Sequence, residues 1–475
     1  MRLRDARDRR ITELEEKLAE RDAIIAQLQT RINELEALLG QNSSNSSRPP
    51  STDPPGVKLK SDKAKKRKRK KGARPGHKKH ARTLVPVEDV DEVFVIKPKR
   101  CGCCGERLSG EDCSPRRHQV WELPKIEPRV TEYQLHTLQC DCGACTHAEL
   151  PHGVPKGAFG ASLMALVSLL TGKYRLSKRA AQELCSDLIA TPVSLGAVSN
   201  IEQTVSEALE APVEEASDYV QQQSVAHMDE TGWREANSKA WLWVVVTSLV
   251  TVFQVARSRG SKVVKSLLGD KWLGILVSDR WTAYFVVKSH QRQLCWSHLI
   301  RDFNGFVDRG GPGSRIGKKL LKQTKLMFKW WHRVRDGTMS RERFRAKTGK
   351  VRREVGRLLR AGKRCVGTKT AGMCAEILSL EPALWTFVDV EGVEPTNNLA
   401  ERQIRPAVLW RKGCFGTQSE RGSRFAERIL TVSATLKQQD RHILSYLTEA
   451  CEAYLRGEPA PSILPIAPSR RLLAA

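Results

Sequence analysis

The chain has 475 residues and a formal net charge of +27, and hydrophobic residues make up 40% of it. This length exceeds one ordinary core and predicts about three or four domains, while the composition excludes a largely disordered chain. The longest apolar run, Trp241 to Phe253, is shorter than the roughly 20 residues of a bilayer helix, so no membrane partner is expected. The charged N-terminus lacks the apolar segment of a secretory signal. We therefore expect a cytoplasmic protein with reduced thiols.

The first forty residues predict a coiled coil. Nine positions at heptad spacing run from Ile11 to Leu39, and all except Arg21 are apolar. β-branched residues at several a positions and Leu at the d positions favour a parallel two-stranded coil. A single amphipathic helix packed on its own domain is the alternative. We expect residues 1–40 to dimerise the chain, because residues 41–82 have the Ser/Pro-rich composition of a linker.

Positive charge is concentrated in two blocks. Residues 58–82 contain 14 Lys and Arg against one Asp, and residues 301–364 contain 21 against five acids. Such blocks are typical of DNA contacts, where protein cations release the counterions condensed on phosphates. A solvated linker and a solvated helical face are the alternatives. The DNA-binding residues that we expect in the first block are Lys65, Lys66, Arg67, Lys68, Arg69, Lys70 and Lys71.

Two cysteine motifs predict a zinc-binding ribbon over residues 83–152. Each has the C-x2-C spacing, and two such pairs can present four thiolates to Zn²⁺ tetrahedrally. The alternating residues 118–140 predict strands between the motifs. Free surface thiols are the alternative. The zinc ligands that we expect are Cys101, Cys104, Cys142 and Cys145, with Cys103 and Cys140 as alternative ligands.

Residues 153–215 predict a helical region. An apolar-periodic helix is followed by a short turn at Ala190 to Pro192 and by a second helix that starts near Ser194. This is the outline of a helix-turn-helix, which reads DNA with its second helix. Plain helical bundles give the same outline, so DNA recognition here is one of two alternatives.

From Ser224 the apolar period changes from that of helices to that of strands. The predicted order is three strands, a helix over 261–270, a strand, and a last strand over "RQLCWSHLIRDF". An antiparallel meander followed by a crossover to a parallel strand is the order of a ribonuclease-H-like α/β core. We assign this core to residues 216–420, with a helical insertion at about 300–390. Residues 421–475 are assigned to a C-terminal helical tail.

Two aspartates mark neighbouring strands of this core. Asp229 is expected at the end of the first strand, and Asp279 at the end of the strand after the crossover. Facing carboxylates repel each other unless cations bind between them. Two Mg²⁺ ions suit such oxygen ligands and can promote phosphoryl transfer. Taken singly, each acid has a simpler explanation as a solvent-exposed or capping carboxylate.

The third carboxylate that we expect is Glu401, within "EPTNNLAERQIRP". Thr396 or Asn397 can cap a helix that directs Glu401 at the site. Arg402 and Arg405 on this helix are expected to contact DNA phosphates. The alternative acids are Asp389 and Glu394.

At these residues the chain resembles transposases of the insertion sequence sixty-six family. The blocks that carry the resemblance are "HMDETGW", "VSDRWTAY", "CWSHLIRDF" and "PTNNLAERQIRPAVLWRKGCFGT", and "RPGHKKHAR" and the cysteine cluster are also similar. The resemblance extends from about residue 11 to about residue 460. It implies a DDE transposase in which Asp229 and Asp279 match the family's two aspartates and Glu401 its glutamate. Cys295 and His298 also match, and we interpret them as a buried thiol and a packed or phosphate-contacting histidine rather than as a second metal site.

The predicted function is DNA transposition. Two Mg²⁺ ions held by the three acids would serve hydrolysis at the ends of an insertion sequence and attack of the freed 3′-hydroxyl on target DNA. The expected partners are DNA and a second or further copy of the chain, and the resemblance implies companion proteins of the same element. The expected location is the bacterial cytoplasm, at the nucleoid. Two alternatives are a zinc-containing DNA-binding regulator without catalysis and a structure-specific nuclease on the same core.

Overall fold

The computed structural model describes residues 2–46, 53, 82–112, 114–365 and 369–465. The basic segment from Lys65 to Lys71 therefore lies outside the described residues. The chain divides into two compact units, of which the smaller is Lys60–Pro128 and the larger contains the rest. No helix within the described ranges is long and apolar enough to cross a membrane.

The N-terminal helix α1 spans Arg2–Leu39 and leaves its heptad seam uncovered. The packed helix considered as an alternative is not observed in the described part of the chain. An apolar stripe of this length needs a partner surface, because an isolated helix gains too little from its own hydrogen bonds. Pairing of two such helices stays a prediction. The exposed seam residues are Ile11, Leu14, Leu18, Ile25, Leu28, Ile32, Leu35 and Leu39.

The cysteine motifs form turns. In the smaller unit, backbone N–H groups of Cys104 and Cys103 lower the pKa of the Cys101 thiol. In the larger unit, the N–H of Cys142 lowers the pKa of the Cys140 thiol. Both shifts favour the thiolate form that binds metals, and Zn²⁺ ligation stays a prediction. Cys140 adjoins a hairpin of two antiparallel strands, β1 (Thr137–Gln139) and β2 (Cys145–His147).

The strands expected over residues 118–140 form only at their end. Residues 118–136 are described and contain no strand, whereas Thr137–Gln139 pairs with β2. The alternating apolar side chains, such as Val120 and Val130, are exposed. Alternation predicts a strand only where one face packs on a core, and this segment packs no such face on the residues that the structure describes.

Four helices precede the main sheet and share its hydrophobic core. The turn between the second and third has Ala190 at a positive φ of 48°, and the Ser194 hydroxyl caps the third helix by accepting the Ala197 N–H. The helix-turn-helix outline is thus present, but Cys185 and Val198 pack into the core of the sheet. Residues 153–215 therefore do not have a core of their own. The helices are α2 (Ala161–Ser168), α3 (Lys178–Ile189), α4 (Leu195–Ala208) and α5 (Glu210–Gln221).

A five-stranded mixed sheet forms the centre of the larger unit. Its first three strands are an antiparallel meander, and the crossover helix α6 (Ser261–Leu268) leads to two parallel strands. The spatial order is β5-β4-β3-β6-β7, with β6 parallel to both β3 and β7. The strands are β3 (Val225–Glu235), β4 (Ser238–Val246), β5 (Thr251–Ala256), β6 (Ile275–Ser278) and β7 (Arg292–Leu294).

The last strand is shorter than the sequence predicts. β7 ends at Leu294 and a helix starts at Trp296, so "CWSHLIRDF" is not a strand. The Cys295 N–H still donates to Ser278 O at 2.9 Å, but the Trp296 N–H donates to Pro395 O at 2.9 Å. This hydrogen bond directs the chain away from the backbone hydrogen bonds of the sheet.

The segment after β7 is helical and encloses a second hydrophobic core. Trp331, Phe344 and Phe387 pack together at its centre, with ring centroids 5.3 to 5.9 Å apart. Every Lys and Arg of its second helix is exposed, so this part of the second basic block faces outward. The helices are α7 (Trp296–Asp308), α8 (Gly311–Arg335), α9 (Arg341–Lys363), α10 (Lys369–Ser379) and α11 (Thr386–Asp389).

The described part of the predicted linker is a turn docked on α7. Asn304 Nδ2 donates to Ser44 O at 3.1 Å, and Asn45 Nδ2 donates to Asp308 Oδ2 at 2.7 Å. Gly305 has no side chain at the contact, where a Cβ would lie 2.6 Å from Asn45 O. Ser and Asn residues are typical of linkers, but they also bond to neighbouring backbone groups and so form compact turns.

Three helices complete the larger unit, namely α12 (Asn398–Cys414), α13 (Glu420–Gln438) and α14 (Ile443–Leu455). Side chains of α13 accept the N–H groups along the edge strand β5. Acceptors four residues apart on a helix are spaced by about 6 Å, which matches alternate residues of a strand at about 6.6 Å. The sequence analysis assigned these last two helices to a C-terminal tail, and α13 and α14 share the core of the sheet. The bonds are Val255 N to Glu427 Oε1 at 2.5 Å, Phe253 N to Thr431 Oγ1 at 2.9 Å and Thr251 N to Thr435 Oγ1 at 3.0 Å.

Candidate active site

The candidate site lies where the parallel strands of the sheet end beside the start of α12. Extending the parallel register of β3 and β6 brings Asp229 level with Asp279. Extending that of β6 and β7 brings Asp279 level with Cys295. Three adjacent strands therefore present functional side chains at one edge, as expected where parallel strands end together.

Asp229 occupies a different place in its strand from the one predicted. The sequence analysis expected it at the strand end, whereas β3 continues to Glu235, which pairs with Ser238 of β4. The parallel strands β6 and β7 stop at this level, at Ser278 and Leu294. Asp229 therefore faces the opening left by β6 while its own backbone remains paired with β4.

Asp229 is half-buried among other acids. Burial raises the pKa of Asp229 well above its usual value, and the charges of Glu230, Asp279 and Glu401 raise it further. The hydrogen bond that Asp229 Oδ1 accepts from the Glu230 N–H, at 2.9 Å, offsets this only in part. Burial also raises the pKa of Asp279, which accepts the Trp281 N–H at 2.8 Å. The Trp281 N–H and the charges of Arg259, Arg292 and Arg280 offset part of the shift of Asp279, whereas the acids around Asp229 add to its shift.

Asn397 holds the start of α12 against the sheet. Its Nδ2 donates to Met228 O at 2.7 Å, and its Oδ1 lies 3.2 Å from His227 Nδ1. Its backbone N–H donates to Cys295 Sγ at 3.2 Å. Asn397 does occupy the N-cap position, but its side chain bonds to the strand rather than to the helix. Glu401, one turn further on, is thereby directed at the edge of the sheet.

Glu401 is the third acid of the cluster. Burial raises the pKa of Glu401, Asp279 adds to the shift, and Arg301 opposes it. On its other side, Glu401 Oε1 lies 3.6 Å from His298 Nδ1 and 4.0 Å from Cys295 Sγ. The two residues that the sequence analysis interpreted as a buried thiol and a packed or phosphate-contacting histidine thus adjoin the predicted glutamate.

Glu230 has the ionic partners that Asp229 lacks. Its Oε1 accepts from Arg259 Nε at 2.9 Å and from Arg259 Nη2 at 2.6 Å, and its Oε2 accepts the Tyr284 hydroxyl. The Arg259 guanidinium lies 4.7 Å from the Trp241 ring centroid and 3.8 Å from that of Trp281. Sequence reasoning missed this group. The one indication of this group in a sequence motif is Tyr284, which lies in "VSDRWTAY". The contacts of Glu230 join it to segments that are distant in the chain, so no local pattern predicts them.

The predicted phosphate contacts of α12 lie on the surface beside the site. Arg402 and Arg405 are exposed. Burial lowers the pKa of His227 to about 4, and the positive charge of Arg402 contributes to this shift. Arg402 is therefore close to the residues that hold Glu401.

The alternative third acid has partners elsewhere. Asp389 Oδ1 lies 3.5 Å from Arg345 Nε, and its Oδ2 lies 3.7 Å from Arg352 Nη1. Its charge is thus met by two guanidinium groups of α9. Among the described residues, Glu401 has no Arg or Lys at ion-pair distance, and its one close basic group is the His298 ring at 3.6 Å.

The arrangement is suited to cation binding. Three carboxylates from β3, from the end of β6 and from α12 repel one another, and a divalent cation between them would relieve this repulsion. Hard carboxylate oxygens are the donors that Mg²⁺ prefers. The residues present therefore fit a Mg²⁺ centre.

Comparison with protein families matches residues 156–425 to the model described as Transposase IS66 family. This range contains all three acids. Residues 3–83 match a Family of unknown function (DUF6444).

Two curated relatives come from Sinorhizobium fredii. Uncharacterized protein y4qI is 25% identical over 260 residues, which cover 49% of this chain and 47% of that protein. Uncharacterized protein y4hP is 25% identical over 404 residues, which cover 74% of this chain and 69% of that protein. The chain thus spans about half the length of the first relative, and neither name describes an activity.

Proposed function

The chain belongs to the IS66 family of transposases, as the sequence motifs predicted, and we propose that it cleaves the ends of an insertion sequence and transfers the freed strands to target DNA with Mg²⁺. One observation carries the proposal. Asp229, Asp279 and Glu401 come from separate elements. The charges of Asp279 and Glu401 raise the pKa of Asp229, and the charge of Asp279 raises the pKa of Glu401. The strand order β5-β4-β3-β6-β7 supports a ribonuclease-H-like core as part of the same proposal.

The three acids would hold the two Mg²⁺ ions. Bound there, the ions would stabilise charge on the attacking and leaving oxygens of the phosphodiester. Asn397 would keep Glu401 directed at the other two acids through its bonds to β3. Arg402 and Arg405 would hold DNA phosphates beside the site.

Further parts of the proposal rest on the sequence pattern and on exposure. Helix α1 would pair with a second copy, and Cys101, Cys104, Cys142 and Cys145 would bind a Zn²⁺ ion. Lys65 to Lys71 and the outward basic faces of α8 and α9 would bind DNA without sequence preference. A protein with this activity would act at the bacterial nucleoid, with companion proteins of its element.

The test is end cleavage and strand transfer with labelled element-end DNA and Mg²⁺. Asp229→Asn, Asp279→Asn and Glu401→Gln should each lower both products by orders of magnitude, and a double variant should be little worse than the singles, because the acids act as a unit. Asp389→Asn is the matched control and should keep full activity.

Three outcomes would change the proposal. Full activity of Glu401→Gln would remove that residue from the site. Cleavage without joined products would favour a nuclease. An unmodified protein that binds DNA but is inactive with every metal and companion would favour a regulator.

A further inference from the structure

Cys295, His298 and Glu401 bring three different donor atoms together. A sulfur, a ring nitrogen and a carboxylate oxygen from these residues all lie within 4.8 Å of one another. Cys295 and His298 are the ends of a C-x2-H motif at the first turn of α7, and Glu401 reaches them from the first turn of α12. The cluster is thus assembled across about a hundred residues of chain rather than by one local turn.

His298 Nδ1 is a buried nitrogen without a hydrogen-bond partner among the described residues. Glu401 Oε1 is 3.6 Å away, which is too far for a good hydrogen bond. An imidazole nitrogen is a common metal ligand, and a buried nitrogen left unpaired needs an explanation.

Cys295 contributes a sulfur that is oriented but lacks a strong partner. Its side chain is 1% exposed, and its Sγ accepts the Asn397 N–H at 3.2 Å. Burial and the charge of Glu401 raise the pKa of the thiol to about 11, and the N–H groups of Asn397, His298 and Ser297 oppose that rise only in part. A metal ion that bound this sulfur would therefore displace its proton.

We propose that Cys295, His298 and Glu401 bind a single Zn²⁺ ion, through Sγ, Nδ1 and Oε1. This donor set suits Zn²⁺ and not Mg²⁺, which prefers oxygen ligands in an octahedral arrangement. The Glu401 side chain is 36% exposed, so ions have access and water can fill a fourth position. The site shares Glu401 with the proposed catalytic centre, and it rests on the proposed function in that respect alone.

The donor distances fit such an ion. Bond lengths of about 2.0 to 2.3 Å in a tetrahedral site place the ligand atoms roughly 3.3 to 3.6 Å from one another. The observed separations from Glu401 Oε1 are 3.6 Å to His298 Nδ1 and 4.0 Å to Cys295 Sγ. These two separations thus require shifts of a few tenths of an ångström, and the third pair, Cys295 Sγ and His298 Nδ1, lies within 4.8 Å.

The ion would position the third acid. Binding through Oε1 leaves Oε2 of Glu401 free to face Asp229 and Asp279. Cys295 and His298 would then be positioning residues that act through Glu401. The sequence favoured a packed thiol and a packed histidine, whereas the unpaired nitrogen beside a carboxylate supports a metal.

The test uses the full-length chain, loaded with Zn²⁺ or with Co²⁺ as a spectroscopic probe. Cys295→Ser and His298→Asn should each contain one Zn²⁺ per chain less than the unmodified protein, and each should weaken the sulfur-to-cobalt charge-transfer band or shift it. Cys451→Ser is the matched control, because Cys451 is also buried but belongs to no such group of donor atoms among the described residues. It should change neither readout.

Further variants separate this proposal from the others. Cys101→Ser with Cys104→Ser should remove the zinc of the proposed ribbon and leave the Cys295 signal. Asp229→Asn should abolish cleavage and keep the signal, so failure of the catalytic proposal would not remove this one. Equal zinc content and identical cobalt spectra in folded Cys295→Ser and unmodified protein would overturn the site and leave a His298 to Glu401 contact without metal.

Discussion

Asp229 and Glu230 are adjacent acids with opposite surroundings. Successive side chains of a strand point to opposite faces, so the two carboxylates face different neighbours. Glu230 meets Arg259 and the Tyr284 hydroxyl, whereas Asp229 accepts a backbone N–H beside two further acids. Glu230 is therefore held in a neutralised group, and Asp229 remains available to a cation.

The raised pKa of Asp229 predicts a pH dependence of stability. The folded state binds the proton of the Asp229 carboxyl more tightly than the unfolded state does. This difference contributes stability that is fully present at low pH. It is lost as pH rises from about 4, the unfolded value, through the higher folded pKa. In EDTA, the melting temperature of Asp229→Asn should therefore exceed that of the unmodified protein increasingly over this window. Thermal melts at a series of pH values measure this.

Added Mg²⁺ should raise the melting temperature of the unmodified protein above this window and have less effect on Asp229→Asn. Asp389→Asn, which replaces an exposed acid of the insertion, serves as the control. Parallel melting curves of all three proteins across the pH series would contradict the electrostatic account.

Asn397 predicts a coupled loss of stability and activity. Asn397→Ala removes the donor to Met228 O and the partner of His227, both buried, so unfolding should become easier by about 1 to 3 kcal/mol. Strand-transfer activity should fall even where the variant is fully folded, because Glu401 loses its anchor. Urea unfolding and the transfer assay measure the two effects. The exposed neighbour Asn398→Ala is the control, and an equal loss in both variants would show that Asn397 has no special role.

At the scale of elements, the sheet edge depends on α13. An open β5 would present free N–H groups, which favour pairing with another chain or leave buried donors without partners. Polar side chains of α13 accept these groups at alternate strand residues. The helix thereby closes the edge and joins the sheet into one core with α2 to α5.

Thr431→Val tests this edge. The change keeps the side-chain shape but leaves the Phe253 N–H without its acceptor, so the free energy of unfolding should fall by about 1 to 3 kcal/mol. Thr348→Val is a matched control, because Thr348 is 1% exposed and its hydroxyl has no partner in the described chain. The control should be neutral or stabilising in chemical denaturation. Similar losses in both variants would indicate that the edge bond contributes nothing special.

At the scale of the whole molecule, the chain combines α1, whose apolar seam is exposed, with the basic helix α8, whose Lys and Arg side chains are exposed. The exposed seam of α1 has no cover within its own described chain, and the Lys and Arg residues of α8 point to solvent. The first feature favours association of copies, and the second favours association with a polyanion. Transposition needs both, since two element ends have to be held together.

Deletion of residues 2–39 should therefore lower the oligomeric state, as measured by light scattering. Arg21 interrupts the seam at a d position, so Arg21→Leu should raise the melting temperature of the isolated helix. Glu16→Leu, at an outer heptad position, is the control and should not raise it in the same way. An unchanged molar mass after the deletion would show that the chain associates through another surface.

The sequence by itself determined the family, the order of strands β3 to β6 around the crossover helix and the seam of α1, and it selected the three acids whose catalytic role stays a prediction. These features depend on local periodicity and on motifs a few residues long, so they can be recognised along the chain. Tertiary structure alone decided that β3 runs past Asp229, that Asn397 bonds to the strand instead of capping its helix, and that α13 belongs to the sheet. It also decided which acid of the Asp229 and Glu230 pair is neutralised, and that Cys295 and His298 meet Glu401. Each of these outcomes depends on contacts between segments far apart in the chain, whose free energies depend on packing and burial that no local pattern of residues encodes.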